Sequence, residues 1–204
     1  MLVVGLTGSI GMGKSTAAAY LRSKGIPVFD ADAEVHRLYD GAAVAAIEAA
    51  FPGTTVDGRV DRALLSAALM AAPQRFAELE AIVHPLVRAA ERAFLKAEAA
   101  RGTSIAVLEI PLLFETGADR LVDTTIVMSS PPELQRERLM KRDNITREKL
   151  EGLIARQMPD AEKRARAAFI VDTSGEISAG QAQLDVIVAQ LRDRQGAAFA
   201  QHWA

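Results

Sequence analysis

The chain has no cysteine, which excludes disulfides, thiol nucleophiles and cysteine-ligated zinc or iron–sulfur centres together. Aromatic residues are scarce as well, 5% of 204 with a single tryptophan. Alanine is abundant, so the core has to be aliphatic and built around helices. The three histidines fall in no metal-ligand spacing, and HExxH is absent. Charge of one sign is missing too: Lys+Arg 24 against Asp+Glu 26 leaves a net charge of -2, not the positive field of a nucleic-acid wrapper or a polybasic membrane binder. Any anion site must therefore be local. The longest apolar candidate, residues 105–114, is broken by Glu109 and Pro111 and falls short of the roughly 18–20 residues of a membrane helix. The apolar start at 1–6 lacks the basic and long hydrophobic regions of a secretory signal. These absences predict a cytoplasmic protein without membrane or nucleic-acid partners, with 204 residues forming one domain; a monomer or weak homo-oligomer is the expectation for its assembly, which the sequence itself does not give.

What is present reads as an α/β fold. LVVGL at 2–6 is continuously apolar, the mark of a parallel strand covered on both faces. Residues 15–24 favour a helix that stops at Gly25 and Pro27. VFD at 28–30 makes a second strand, completing a right-handed β-loop-α-β crossover. Strand character returns at 105–110, 124–128 and 169–171. Between them, 33–102 reads as a helical insertion: helices at 33–39, 42–50, 61–71 with Asp61 as N-cap, 74–82 and 84–101, and turn material in PGTTVDG at 52–58. Ser178 and Gln181 have capping-box spacing before a helix that carries Leu184, Ile187, Val188 and Leu191 on one face. The expected plan is a parallel sheet flanked by helices.

Residues 8–15, GSIGMGKS, match GxxxxGK[ST] between a predicted strand and a predicted helix. Glycines let successive N–H groups face one concavity, and the helix start adds its positive dipole end, so a triphosphate is gripped mainly by main-chain donors. Lys14 supplies a point charge to the β/γ-phosphates, and the Ser15 hydroxyl is a hard oxygen suited to Mg²⁺. The dinucleotide pattern GxGxxG fails, because its third glycine would be Thr16.

Two further constellations surround this loop. In Asp30-Ala31-Asp32, extended geometry would aim both carboxylates to one side at the carboxyl edge of the sheet. Asp32 is then a candidate base for an attacking hydroxyl, or a carboxylate for metal-bound water. The competing reading makes it the cap of a helix starting near Ala33. The stretch 136–147 carries Arg136, Arg138, Lys141, Arg142 and Arg147 against Glu137 and Asp143. Arg138 and Arg142, at i,i+4, share a face that can close over phosphates as a lid. The alternative is a solvated helix in which Glu137 pairs with Lys141. His84 precedes Pro85 at an expected helix start, where it either meets a ligand anion or serves structure alone. Glu109 and Glu115 flank IPLLF and suit an ion pair, a cap or a substrate contact.

A GTPase switch would need DxxG and NKxD. DTSG at 172–175 mimics the first from far downstream, and NKxD is absent. An assembly ATPase would show an apolar strand ending in aspartate, where LEIP offers Glu109. A small-molecule kinase accounts for the size, the basic run and the helical insertion. Another P-loop nucleoside or nucleotide kinase, and more distantly a nucleotide-dependent binding switch, remain as alternatives.

The order and spacing of several motifs sharpen this reading. GLTGSIGMGKST at 5–16, FDADAEVHRL at 29–38, HPLVR at 84–88, EIPLLFE at 109–115 and RLMKRDNITRE at 138–148 with Gln157 behind it resemble, almost end to end, the dephospho-CoA kinase family. That resemblance implies a P-loop NTPase-like core at 1–32, 103–135 and 168–204, a helical acceptor-binding insertion at 33–102 and a helical lid at 136–157. It implies transfer of the ATP γ-phosphoryl group to the ribose 3′-hydroxyl of dephospho-CoA, with Mg²⁺ at Ser15. The nucleotide would lie on Gly8, Ser9, Ile10, Gly11, Met12, Gly13, Lys14, Ser15 and Thr16, with Thr173 and Gly175 beside adenine. Thr173 stands where the family carries an asparagine before x-Gly. Asp32 would serve the acceptor hydroxyl, with Lys14, Arg138 and Arg142 at the transferring group. His84, Arg88, Pro111, Leu112, Leu113 and Glu115 would form the acceptor site.

Overall fold

In the computed structural model the described residues are 1–141, 147–155 and 157–204. In chain order come β1 (Leu2–Thr7), α1 (Lys14–Ser23), β2 (Val28–Asp30), α2 (Ala31–Tyr39), α3 (Val44–Ala50), β3 (Thr55–Val56), β4 (Arg59–Val60), α4 (Arg62–Ala71) and α5 (Phe76–Ala100). Then follow β5 (Ile105–Glu109), β6 (Thr124–Ser129), α6 (Pro132–Met140), α7 (Arg147–Ala155), α8 (Asp160–Arg166), β7 (Phe169–Asp172) and α9 (Ile177–Leu191). The chain divides into two compact units, Met1–Phe29 with Leu95–Ala204, and Asp30–Phe94. Among the described residues no helix is long and apolar enough to cross a membrane.

The first unit is organised by a five-stranded sheet in the order β2-β5-β1-β6-β7. β1 pairs in parallel with β5, from Leu2 opposite Ile105 to Leu6 opposite Glu109, and with β6, from Val4 opposite Thr124 to Thr7 opposite Val127. β6 pairs in parallel with β7. Every residue of β1, β5 and β6 is buried, which explains the unbroken apolar run at 2–6 of β1: helices cover both faces of a parallel sheet. Val4, Leu6, Val107 and Met128 form one core with Ala17, Ala18 and Leu21 of α1 and Leu184, Ile187 and Leu191 of α9. The expected capping box of α9 does not form. Glu176 is the N-cap and makes no side-chain cap bond, so Ser178 sits inside the first turn, where its hydroxyl cannot cap.

The second unit packs Leu38, Ile47, Phe51, Val60, Leu65, Leu69 and Val83 into its own aliphatic core. Asp61 caps α4, accepting the N–H groups of Ala63 and Leu64. The segment read as plain turn contains a hairpin, with Thr55 opposite Val60 and Val56 opposite Arg59. Asp57 and Gly58 both take positive φ, the geometry that a two-residue turn matching strand twist requires. The helices expected at 74–82 and 84–101 are one continuous α5, with Pro85 inside it. An internal proline costs about 3 kcal/mol. Here Phe76, Leu79, Ile82, Leu86 and Val87 all pack on the core, and that burial carries the helix through. His84 is therefore an exposed mid-helix residue, not the opening of a helix.

The last residues fasten the first unit. Asp123 accepts Val3 N–H at 2.7 Å through Oδ2, and the N–H groups of Ala197 and Ala198 at 2.6 and 2.8 Å through Oδ1. The π-helical turn Phe199–Trp203 then buries Trp203, 1% exposed, whose Nε1 donates to the Leu121 carbonyl at 2.7 Å. Trp203→Ala is expected to lower unfolding free energy by about 3 kcal/mol, the usual scale for emptying a buried tryptophan site. Urea denaturation checks this; an unchanged midpoint would show that the tail contributes nothing.

Candidate active site

The loop at 8–13 leaves β1 at the carboxyl edge of the sheet and enters α1. Gly8 has φ 146°, and a Cβ there would run into the Met128 carbonyl oxygen of β6. Gly13, the N-cap of α1, has φ 86°. Both are positions that L side chains adopt only under strain. The first N–H groups of α1 have no partner inside their own helix, so the loop and the helix start present donors and the positive dipole end together. Lys14 Nζ lies back along the loop, donating to the Gly8 carbonyl at 2.7 Å and reaching the Ser9 carbonyl at 3.4 Å. Ser15 and Thr16 follow, both exposed.

Side chains from four other places hold this loop. Met12, 1% exposed, receives the N–H and hydroxyl of Ser130 on its Sδ, both at 3.1 Å. Thr173 shares its single hydroxyl proton between the carbonyls of Met12 at 3.2 Å and Ser129 at 3.1 Å. Gln135 Nε2 donates to the Ile10 carbonyl at 2.8 Å, and Gln157 Oε1 accepts the Ile10 N–H at 2.9 Å. Sequence reading missed Gln135 altogether and met Gln157 only through the resemblance, because a carboxamide that holds main chain has no spacing signature.

Arg138 comes from α6 and donates to the Thr173 carbonyl at 2.5 Å, with Nη1 3.3 Å from its hydroxyl oxygen. It borders a cavity of about 360 Å³, whose walls include Gly13, Thr16, Thr173, Gly175, Ile177 and Leu184. A partly apolar slot running up to a main-chain anion cradle is the form a nucleotide base and its phosphates need. Arg142, the other expected lid cation, lies outside the described residues. The alternative pairing within the basic run does form: Lys141 reaches Glu137 at 2.6 Å.

The chain stops being extended at Ala31, so Asp30 and Asp32 do not align as period two would have them. Asp30 is the cap of α2, its Oδ1 accepting the Ala33 N–H at 2.9 Å. Helix formation wins here because the cap bond satisfies a donor that an extended strand would leave exposed. Asp32 is left in the first turn with an exposed side chain, relieved of capping.

After β5, Pro111 is partly exposed, and its carbonyl accepts the Thr7 hydroxyl at 3.1 Å. Leu112 is also partly exposed, whereas Leu113 is fully buried with its methyl groups against Gly5, so Leu113 supports the loop from beneath. Glu115 Oε1 accepts the Met158 N–H at 2.8 Å and faces Lys163 Nζ at 2.9 Å. Lys163 is completely buried and also lies 3.4 Å from the Pro111 carbonyl. That carboxylate oxygen is thus spent on bracing the loop. In α5, Arg88 Nη1 sits 3.0 Å from Glu91 Oε2, with Glu91 2% exposed. Burial pushes the Glu91 carboxyl up to about 7, outweighing the pull of Arg88.

A family model described as dephospho-CoA kinase matches residues 2–179. A dephospho-CoA kinase of Rhizobium meliloti is 56% identical over 192 residues, 94% of this chain and 99% of that one. A solved structure from Thermus thermophilus has TM-score 0.80 and 37% identity, covering 93% of this chain and 97% of its own. The solved dephospho-CoA kinase of Campylobacter jejuni has TM-score 0.70 and 25% identity, covering 93% and 96%.

The Glu91 pair gives a pH dependence. From the ordinary value of 4.5 up to about 7, the folded chain holds a proton that the unfolded chain has released, so stability falls as pH rises through that window. Glu91→Gln is expected to remove about 1–3 kcal/mol of that fall. Urea midpoints at pH 5 and pH 8 measure it; identical slopes for both proteins would exclude Glu91 as the source.

Proposed function

The chain belongs to the dephospho-CoA kinase family, and on that premise we propose a division of labour among its own residues for phosphoryl transfer from ATP to the ribose 3′-hydroxyl of dephospho-CoA. The enzyme is an ATP-dependent kinase acting on an alcohol group. The single observation that carries the reading is the strand-loop-helix cradle at 8–15, with the Lys14 ammonium lying along the Gly8 carbonyl. Residues 8–16 hold the polyphosphate, and the cavity bordered by Thr173 and Gly175 takes the base. Asp32 orients the acceptor hydroxyl and takes its proton as the new oxygen–phosphorus bond forms. The bond from the γ-phosphorus to the bridging oxygen breaks, and ADP leaves.

Arg138 and Lys14 offset the charge on the transferring group, and Arg142 is assigned the same duty. His84, Arg88, Pro111 and Leu112 contact the acceptor, with Leu113 and Glu115 shaping their loop. The plan of core, acceptor insertion at 33–102 and lid at 136–157 belongs to the same proposal. Among the described residues no group of three or more His, Cys, Asp or Glu could hold a metal. The Ser15 hydroxyl, a hard oxygen donor, would instead hold Mg²⁺ arriving with the nucleotide. Bound there, the ion would neutralise phosphate charge.

Acceptor-dependent ADP release tests this reading. Activity with dephospho-CoA and none with AMP, nucleosides or shikimate is expected; the reverse would assign another kinase. Asp32→Asn is expected to lower kcat by about 100-fold or more while the ATP KM stays within about threefold, and unchanged kcat would remove Asp32 from the chemistry. Lys14→Ala should lower kcat/KM for ATP by about 1000-fold, the scale of a lost charge contact at the phosphates.

A further inference from the structure

The two glutamines at Ile10 lie outside every role assigned above. The Ile10 N–H and the Ile10 carbonyl belong to two successive peptide planes, one on each side of its Cα, and each plane is held by a different carboxamide. Gln157 takes the first at 2.9 Å and Gln135 the second at 2.8 Å. Holding both planes fixes φ and ψ of Ile10, and the chain entering Gly11 inherits that direction. The loop needs such a restraint, because its glycines at 8, 11 and 13 all take positive φ and leave its backbone with more alternatives than any other residue would.

Each glutamine is itself held. Gln135 stands in α6 and is 5% exposed, so its amide is aimed within packed surroundings. Gln157 donates its own N–H to the Ile154 carbonyl at 3.0 Å. The next residue, Met158, is tied by its N–H to Glu115, which faces the buried Lys163. The brace of the loop after β5 and the hold on the phosphate-binding loop therefore meet at residues 157 and 158.

We propose that Gln135 and Gln157 are positioning residues that set the phosphate-binding loop in its phosphate-receiving form by clamping the two peptide planes of Ile10. The proposal rests on the ATP-site reading above. Neutral carboxamides suit this role, since one presents the donor and the other the acceptor that the peptide requires, and neither places a charge beside the phosphates.

Binding of ADP and of AMP to the full chain, measured by calorimetry, separates positioning from packing. AMP lacks the β-phosphate that the loop cradles and reports on the base pocket. Gln135→Met and Gln157→Met are each expected to weaken ADP by about tenfold, with AMP affinity within about twofold, and to lower kcat for phosphoryl transfer. Should Gln135→Met fail to fold, Gln135→Asn keeps the carboxamide but draws it back by one methylene, and the same split is expected. Unchanged ADP affinity in the variants overturns the proposal, as does an equal loss of ADP and AMP, which would mark a packing role. A wild-type chain that binds neither nucleotide would instead sink the ATP-site reading, and the clamp with it.

Discussion

A loop that grips phosphate with its own amides has to withhold those amides from secondary structure. The segment between β1 and α1 does this, and the consequence runs through the rest of the first unit: without a ladder of hydrogen bonds, the loop is held from outside. Met128 and Ser130 support it from β6 and the turn beyond, through contact with Gly8 and the Met12 sulfur. Thr173 supports it from just after β7, Gln135 from α6 and Gln157 from the bend between α7 and α8. Apart from Gln157, each support comes from the carboxyl end of a parallel strand or from the chain that follows it, because β1, β6 and β7 run side by side in one direction. The strand order thus brings most of the loop's partners to one edge of the sheet.

The polar contacts beneath the loop follow a related logic. Lys163 is fully buried, and taking an ammonium out of water costs several kcal/mol unless it is matched. Glu115 matches it at 2.9 Å and the Pro111 carbonyl adds a second partner. An apolar pair of equal volume would give similar or greater stability. What the charged pair adds is direction, since Glu115 also captures the Met158 N–H and so sets the position of Gln157.

The parts legible in the sequence were those whose signal is local. The glycine-lysine-serine spacing, the unbroken apolar run at 2–6 of β1, and Asp61 as a cap each depend on neighbours a few residues away. What escaped depends on distant partners or on a contest between local rules. Pro85 looked like a helix start, and the apolar face of α5, packed on the core of the second unit, overrode it. Asp30 and Asp32 looked like one extended pair, but the cap bond to Ala33 turned the chain after one residue. Ser178 had the spacing of a cap without its backbone geometry. Gln135 bonds a carbonyl 125 positions away, and Trp203 one 82 positions away, and no pattern along the chain encodes either.

The cations of the basic run and of the phosphate-binding loop differ in what they rest on. Arg136 and Lys141 pair with the carboxylates of Glu151 and Glu137, whereas Arg138, between them in sequence, rests on the carbonyl and hydroxyl of Thr173. A guanidinium on a neutral carbonyl gives up a weaker bond than one on a carboxylate, so an arriving phosphate gains more by recruiting it. Lys14 makes a similar use of the Gly8 carbonyl. In the proposed roles of Arg138 and Lys14, such resting places would hold the side chains in place before phosphate arrives, which lowers the ordering cost of binding. The surface ion pairs of the same stretch are exposed and worth little. Within this basic run, then, position relative to the loop, and the neutrality of what each cation rests on, separates a residue suited to phosphate from one that only solvates a helix.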